Sequence, residues 1–313
     1  MAFEASCGGG IPIIDALHRG LAANRIDALV GIVNGTCNYI LTKMTREGST
    51  YADALKGAQD VGFAEADPTL DVSGRDAAQK LVILAGLAFG KRVKESDLQI
   101  EGIDTVDARD IAYAGALGYV IKLLAIAERQ SSDALSLRVH PTLVHKHDVL
   151  ADVSGGFNAI SVYGDALGHA LFYGRGAGQM PTASAVVADL LSVASGIARR
   201  TFDAFRFAPD LTDPVKTLPI EQSSSRYYLR LTAKDMPGVM AAIADALGKN
   251  GISIASITQQ ETAEGRSGVV PIVATTHRAI EGSVRKALKL IDALPTTAKP
   301  SVCLRIHEPP ASA

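Results

Sequence analysis

Apolar positions recur along the chain with two different periods, and the changes between them mark its elements. IIDALHRGLAA (13–23) has helical spacing, whereas IDALVGIVNG (26–35) reads as a strand running into a turn. NYILTKMTRE and YADALKGAQD read as two helices broken at Gly48-Ser49-Thr50, and a long helix from Arg75 to Phe89 follows an Asp-Pro turn. In YVIKLLAIAER (119–129) and ALSLRVHPTLV (134–144) the branched residues alternate as in strands, with QSSD as the turn between them. Pro181 to Arg200 is expected to be helical, with the proline in the first turn, where its missing N–H costs nothing.

Three prolines and a serine run in FAPDLTDPVKTLPIEQSSSR (207–226) have linker composition. Beyond them the periods read strand, helix, strand, strand, helix, strand: RYYLRLTA, Pro237–Asn250, ISIASITQQE, SGVVPIVATTH, AIEGSVRKALKLID and PSVCLRIHE. That βαββαβ order is the ferredoxin-like split arrangement. The expected fold class is α+β: a mixed sheet packed by helices over residues 1–208, a linker over 209–226, and a βαββαβ domain over 227–308.

Composition narrows the function. The 313 residues predict about two domains. With 31 Lys and Arg against 33 Asp and Glu, the net charge of −2 lacks the basic excess of a nucleic-acid or anionic-membrane binder. Hydrophobic residues at 47% allow a sizeable core, built mainly from Ala, Val, Leu and Ile because there is no Trp. Three scattered cysteines (Cys7, Cys37, Cys303) form no CxxC pair and fit a reducing compartment. The start MAFEASCGGGIP has no apolar core of a signal peptide, and the longest apolar runs are too short to cross a bilayer. A cytoplasmic location without membrane or nucleic-acid partners is therefore expected.

The densest polar constellation is EADPTLDVSGRDAAQK, Glu65 to Lys80. It has a bland reading, an acidic helix entry in which Ser73 and Asp76 form a capping box and Asp76–Lys80 is a surface pair. Helical geometry points elsewhere. Asp76 and Lys80 fall on one face with Ile83, Leu84 and Leu87, and charges at the end of an apolar stripe must be paired or line a cleft. A lysine held by an aspartate four residues earlier suits proton donation to a developing alkoxide, and Glu65 and Asp71 could receive an ammonium group.

Three glycine-bearing turns accompany it. EASCGGGIP permits close backbone approach, either as a loose terminus or as a loop offering oxygens to a hard cation. IVNGTCNYI (32–40) and YGRGAGQMPT (173–182) are turns that lead into helices. Neither GxGxxG nor GxxxxGK[ST] occurs, so no dinucleotide-binding fold is recognisable within the chain. HKH at 145–147 lacks a third ligand and is assigned to surface structure.

These segments, in this order, resemble homoserine dehydrogenase: EASCGGGIPII, GIVNGTCNYIL, GFAEADPTLDVSGRDAAQKL and GRGAGQMPTASAVVADL. DMPGVMAAIADALGKNGISIASI (235–257) is similar to an ACT domain, as in the longer bacterial form of that family. The resemblance implies reduction of aspartate 4-semialdehyde to homoserine with NADPH or NADH, on the route to threonine, isoleucine and methionine. It implies Lys80 as proton donor, Asp76 as its orienting partner, and Glu65, Asp71, Gly35 and Thr36 at the substrate. Asn34, Gly176 and Gly178 would lie at the cofactor. A monovalent cation such as sodium would bind at Glu4, Cys7, Gly9 and Ile11, through main-chain oxygens. The ACT resemblance implies pairing of chains and threonine as allosteric inhibitor, with Asp235, Gly238 and Asn250 as candidate contacts.

Members of that family carry a Rossmann domain and a further active-site lysine ahead of the EASCGGGIP-like segment, which here lies next to Met1. The expectation is that the isolated chain lacks hydride transfer. The alternative function is a non-catalytic fragment that senses an amino acid through the ACT domain and oligomerises.

Overall fold

The computed structural model describes residues 2–130, 134–199, 213–259 and 268–310. The chain divides into two compact units, one of residues 1–141, 146–218 and 309–313, the other of 142–145 and 219–308. The proposed 208/209 domain boundary lies outside the described residues, and the helix expected over 181–200 ends at Ala194, where Ser195 and Gly196 (φ 75°) turn the chain.

The first unit begins with a short helix α1 (Ile13–Asp15) that continues as a π turn over Ala16–Gly20. The helix expected over 13–23 is thus shorter. Strand β1 (Ile26–Ile32) follows, then α2 (Gly35–Glu47) and α3 (Tyr51–Asp60). Asn34 caps α2 by accepting from Cys37 N, and Thr50 caps α3 by accepting from Asp53 N. After α4 (Thr69–Val72) comes α5, which spans Arg75–Phe89 as its periodicity predicts.

The cap of α5 differs from the expected capping box. Gly74 precedes it in the left-handed region (φ 81°) without a side-chain cap, and the Ser73 hydroxyl donates back to Leu70 O. Gly74 N–H bonds Asp71 O, so a glycine turn starts the helix where a hydroxyl was expected. The buried stripe of α5 is Ala77, Ala78, Leu81, Leu84 and Ala85, whereas Asp76, Lys80, Ile83 and Leu87 are half-buried at its edge. The shared face predicted for the charged pair exists, but it flanks the core.

β2 (Gln99–Ile100), α6 (Ala108–Ala116), β3 (Tyr119–Arg129), β4 (Leu135–His145), β5 (Phe157–Gly164), β6 (Gly168–Arg175) and α7 (Gln179–Ala194) complete the unit. Its strand order is β6-β5-β1-β3-β4. β1 runs antiparallel to β3 and β5, β5 antiparallel to β6, and β2 parallel to β4, so the sheet is mixed. Only His145 of the HKH run belongs to a strand, and its neighbours are exposed in the following turn.

In the second unit, β7 (Ser224–Lys234), α8 (Val239–Lys249), β8 (Ile254–Gln259), β9 (Val269–Thr276), the short β10 (Ala279–Ile280), α9 (Glu281–Asp292) and β11 (Thr297–Ile306) give the βαββαβ order. The strand order β11-β7-β9-β8, with each of these neighbours antiparallel, is ferredoxin-like. The core packs Tyr227, Leu229 and Leu231 of β7 against Ile243 and Leu247 of α8 and Val284, Leu288 and Ile291 of α9. Ser224, Ser225 and Arg226 of the expected linker already belong to β7.

One buried cation stands out in the first sheet. Lys122 of β3 is 4% exposed, and its ammonium donates to Val153 O (2.5 Å) and Asn38 Oδ1 (3.4 Å). Burial pushes its pKa down to about 8, Arg46 adds to the depression, and Asp152 opposes it. A base whose pKa is lower folded than unfolded imposes a penalty below the folded value, and that penalty is relieved as pH rises towards the unfolded one. The stability difference between the parent and Lys122→Met should therefore rise by on the order of 3 kcal/mol between pH 7 and pH 11, read by urea unfolding. A difference independent of pH would show that Lys122 is not desolvated.

Candidate active site

β1 ends at Ile32, and Val33-Asn34 lead directly into α2, which faces the start of α5. There a cavity of about 430 Å³ opens. Asn34, Gly35 and Thr36 line it on one side, Asp71, Asp76 and Lys80 on a second, and Arg175 to Gly178 on a third. Phe63, Gly156 and Phe157 close the remaining wall.

Its polar centre is a chain of hydrogen bonds. Lys80 Nζ donates to Asp76 Oδ2 (2.8 Å) and to Val33 O (3.1 Å). An ammonium has three N–H donors, so one remains for a ligand oxygen in the cavity. Asn34 Nδ2 gives one proton to Asp71 Oδ1 and the other to Asp76 Oδ2, both at 2.7 Å. Asn34 Oδ1 also accepts from Cys37 N, so both N–H groups and one lone pair of its side chain are spent within the protein. It lines the wall as expected, and both of its N–H groups order carboxylates. Asp71 is further tied down through its carbonyl, which accepts from the Cys37 thiol (3.2 Å).

Thr36 spends its hydroxyl on Phe63 O (2.7 Å), which fixes the Phe63 wall against α2. Gly35 permits close packing, since a Cβ there would stand 3.2 Å from Gly156 O. Glu65 lies apart: it is exposed, its carbonyl accepts from Gln59, and it is not among the residues lining the cavity. Asp71 is therefore the carboxylate that the fold presents beside Asp76.

The glycines of the first segment pack against those of the fourth. Gly10 N donates to Arg175 O (3.1 Å), and a Cβ on Gly9 would strike Gly176 O. Gly178 precedes α7 with φ 127°. The Cys7 thiol lies against Lys80 O (3.8 Å), and burial pushes its pKa up to about 12, so it stays protonated. Glu4 Oε1 and Oε2 accept from Ile14 N and Asp15 N, both at 2.8 Å, so its carboxylate caps α1, and burial is the main cause of its raised pKa. Among the described residues no group of three or more His, Cys, Asp or Glu could hold a metal. A cation at Glu4, Cys7, Gly9 and Ile11 would have to rest on main-chain oxygens.

In the second unit, Gly238 precedes α8 with φ 89°, Asp235 accepts from Gln259 Nε2 (3.1 Å), and Asn250 Nδ2 donates to Ala246 O (2.8 Å) at the far end of the helix. Eleven helical residues separate Gly238 from Asn250, roughly 16 Å of rise, so the two cannot touch one amino acid within a single chain. Asn250 closes its own helix.

The sequence reading did not single out Val33, Phe63, Gly156, Phe157 or Arg175. Arg175 lay within the quoted GRGAG run. Phe157 carried no local signal, since its stacking on Tyr173 (ring centroids 5.2 Å apart) and its place under Arg175 are set by pairing of β5 with β6.

A lysine donor buttressed by a carboxylate, beside a wall of bare glycine backbone, is chemistry suited to the oxygen of a small carbonyl or alcohol. The comparisons resolve the class. A homoserine dehydrogenase family model matches residues 12–191, and an ACT domain model matches residues 227–295. The homoserine dehydrogenase of Pseudomonas aeruginosa is 47% identical over 98% of this chain and 71% of its own length. The crystal structure of a homoserine dehydrogenase from Thiobacillus denitrificans is 44% identical, with a TM-score of 0.90, and covers 97% of this chain and 69% of that one. A hyperthermophilic archaeal homoserine dehydrogenase in complex with NADPH is 30% identical over 60% of this chain and 54% of its own, with a TM-score of 0.52. The chain belongs to the homoserine dehydrogenase family, NAD(P)-dependent oxidoreductases that act on CH–OH groups, and it carries a C-terminal ACT domain. No helix among the described residues is long and apolar enough to cross a membrane.

Proposed function

We propose that the cavity at the end of β1 is where this chain interconverts aspartate 4-semialdehyde and homoserine. The observation that carries the reading is the Lys80 ammonium, fixed by Asp76 Oδ2 and Val33 O with one N–H left over inside the cavity. In the reductive direction that N–H is placed to hydrogen-bond the aldehyde oxygen and to give it a proton as the C=O bond becomes C–OH. Asp76 stabilises the ammonium before transfer and holds Nζ in place afterwards. A nicotinamide cofactor, when bound, supplies the hydride that the aldehyde carbon receives.

The substrate's ammonium group matches the carboxylate of Asp71, which Asn34 keeps turned towards Asp76. The bare backbone of Gly35, Gly176 and Gly178 supports close approach of a flat cofactor ring to that centre. The cavity can hold the substrate and the reactive end of the cofactor together. Glu65 belongs to this reading as an outer carboxylate at the substrate's amino end. Sodium or another monovalent cation is assigned to the main-chain oxygens of the Glu4–Ile11 segment. Threonine is assigned to the ACT unit near Asp235 and Gly238, in a homo-oligomer located in the cytoplasm.

L-Homoserine titration of the full chain tests the reading without requiring turnover. The parent should bind L-homoserine, and Asp71→Asn should weaken that binding by at least about tenfold, as expected for loss of a charge-assisted contact. Equal affinity of parent and variant, measured calorimetrically, would remove Asp71 from the site.

A further inference from the structure

Residues 146–156, ahead of β5, belong to no strand or helix, and their end forms the Gly156-Phe157 wall of the cavity. α2 holds that end with Asn38, Thr42 and Arg46, spaced four residues apart and so on one face of the helix. Asn38 Nδ2 donates to Val153 O (3.2 Å), Gly155 O (2.9 Å) and Phe157 O (3.1 Å). Thr42 Oγ1 accepts from Gly155 N (3.1 Å), and Arg46 Nη2 donates to Ser154 Oγ (3.0 Å). Asn38 is 1% exposed, and its amide does for Val153 O and Gly155 O what a neighbouring strand does in a ladder.

A second buried group decides which way that amide points. Asn38 Oδ1 faces the Lys122 ammonium, a donor only, whereas Nδ2 faces three carbonyls, which are acceptors only. Turned over, the amide would set its oxygen against the carbonyls and its N–H groups against the ammonium. Lys122 also donates to Val153 O (2.5 Å), so one cation grips both the amide and the segment it holds. Satisfying Val153 O does not require that cation, because Asn38 already donates there. A charge is costly at a position whose neighbours on β3, Ile121, Leu123 and Leu124, are buried and apolar. The grip fixes the geometry downstream. Phe63 lies over Gly156, where any Cβ would collide with its ring, and Phe157 carries the Arg175 guanidinium 5.4 Å above its ring. Phe63, Gly156, Phe157 and Arg175 all line the cavity.

We infer that Lys122 is a positioning residue of the cavity, holding the Asn38 amide in the orientation that sets the Gly156-Phe157 wall around the substrate. Lys122 does not itself line the cavity, and it acts through Asn38 and the 153–157 segment. Asn34, four residues before Asn38, orders the carboxylates of Asp71 and Asp76 from the start of the same helix. The polar centre and the aromatic wall are therefore both referenced to α2, and a shift of the segment would move one relative to the other. The assignment rests on the reading of the cavity as the homoserine site.

The test combines binding, unliganded stability and the position of the wall, and does not need turnover. L-Homoserine is titrated calorimetrically at neutral pH into the full chain and into Lys122→Met, with Lys122→Leu as a control for the shape of the methionine. Each variant should bind about fivefold more weakly than the parent, the equivalent of one modest hydrogen bond. Their unliganded Tm should not fall, because removing a desolvated charge offsets the loss of its contacts to Val153 O and Asn38 Oδ1. The wall is read directly in chain labelled with 4-fluorophenylalanine. The fluorine resonances of Phe63 and Phe157, assigned with Phe63→Leu and Phe157→Leu, should move in both Lys122 variants before any ligand is added. Parental affinity in both variants overturns the assignment and leaves the homoserine reading standing. Weaker binding with both resonances unmoved also overturns it, since Lys122 would then not act through the wall. So does a fall of several degrees in the unliganded Tm of both variants, because Lys122 would then be holding the fold. A parent that does not bind L-homoserine overturns the assignment together with the reading beneath it.

Discussion

Replacement of Lys80 by Met should weaken binding of L-homoserine by at least about tenfold, as expected when the charge-assisted hydrogen bond to the substrate oxygen is lost. The cause is local. Lys80 is the one cation lining the Asp71–Asp76 side of the cavity, and its two protein contacts leave a single N–H for the reacting oxygen. Methionine fills the same space, so the fold should survive, and an unchanged thermal transition would separate chemistry from stability. Asp76→Asn should cost less, because Val33 O still holds the ammonium when the carboxylate charge is gone. A Lys80→Met chain with parental affinity for L-homoserine would rule out Lys80 as the group at the substrate oxygen. If affinity fell equally in both variants, the Asp76 carboxylate would be as necessary as the amine.

The largest expected loss of stability lies in the ACT unit, at Glu281. This side chain, 2% exposed, receives both Nε and Nη2 of Arg305 (2.9 and 2.7 Å), the Tyr227 hydroxyl (2.9 Å) and Arg285 Nε (2.8 Å). Burial works against its charge, yet Arg305 and Arg285 outweigh burial and hold the carboxyl below its ordinary range. Burial and the neighbouring carboxylate in turn push the Tyr227 phenol upward. Glu281→Ala removes the carboxylate shared by the buried Arg305 guanidinium and the Tyr227 hydroxyl and should destabilise the unit by about 3–5 kcal/mol in chemical denaturation. An acid whose pKa is lower folded than unfolded contributes stability above its unfolded value of 4.5, and loses it as pH falls through the folded value. The difference between parent and variant should thus shrink under acid. A loss below about 1 kcal/mol would mean that water or repacking replaces the network.

Long-period patterns were the most legible features. Helix α5 runs over the residues its spacing predicts, and the second unit has the strand and helix order read from alternating periods. Local geometry at the ends was less legible. The π turn after α1 and the glycine start of α5 depend on backbone torsions that a Ser-x-x-Asp pattern does not encode. For the site, the Asp76–Lys80 pair could be foreseen because four residues make one helical turn, and the structure joins them at 2.8 Å. The bonds from Asn34 to Asp71 and Asp76 span 37 and 42 residues, and no local spacing announces them. Glu65 shows the reverse, a residue inside the densest motif that the fold leaves on the surface.

By itself the sequence determined the family, the two kinds of unit and the chemical types at the site, because periodicity and motif spacing act over one or a few turns of backbone. Only the tertiary structure decided which of those groups meet. Pairing of β5 with β1 and β6, and packing of α2 against α4, set the walls of the cavity. They spend Asn34 on two carboxylates and leave Asn158 unpaired beneath Gly176. Whether a polar side chain is spent or free depends on its neighbours in space, which long-range pairing chooses and local patterns do not.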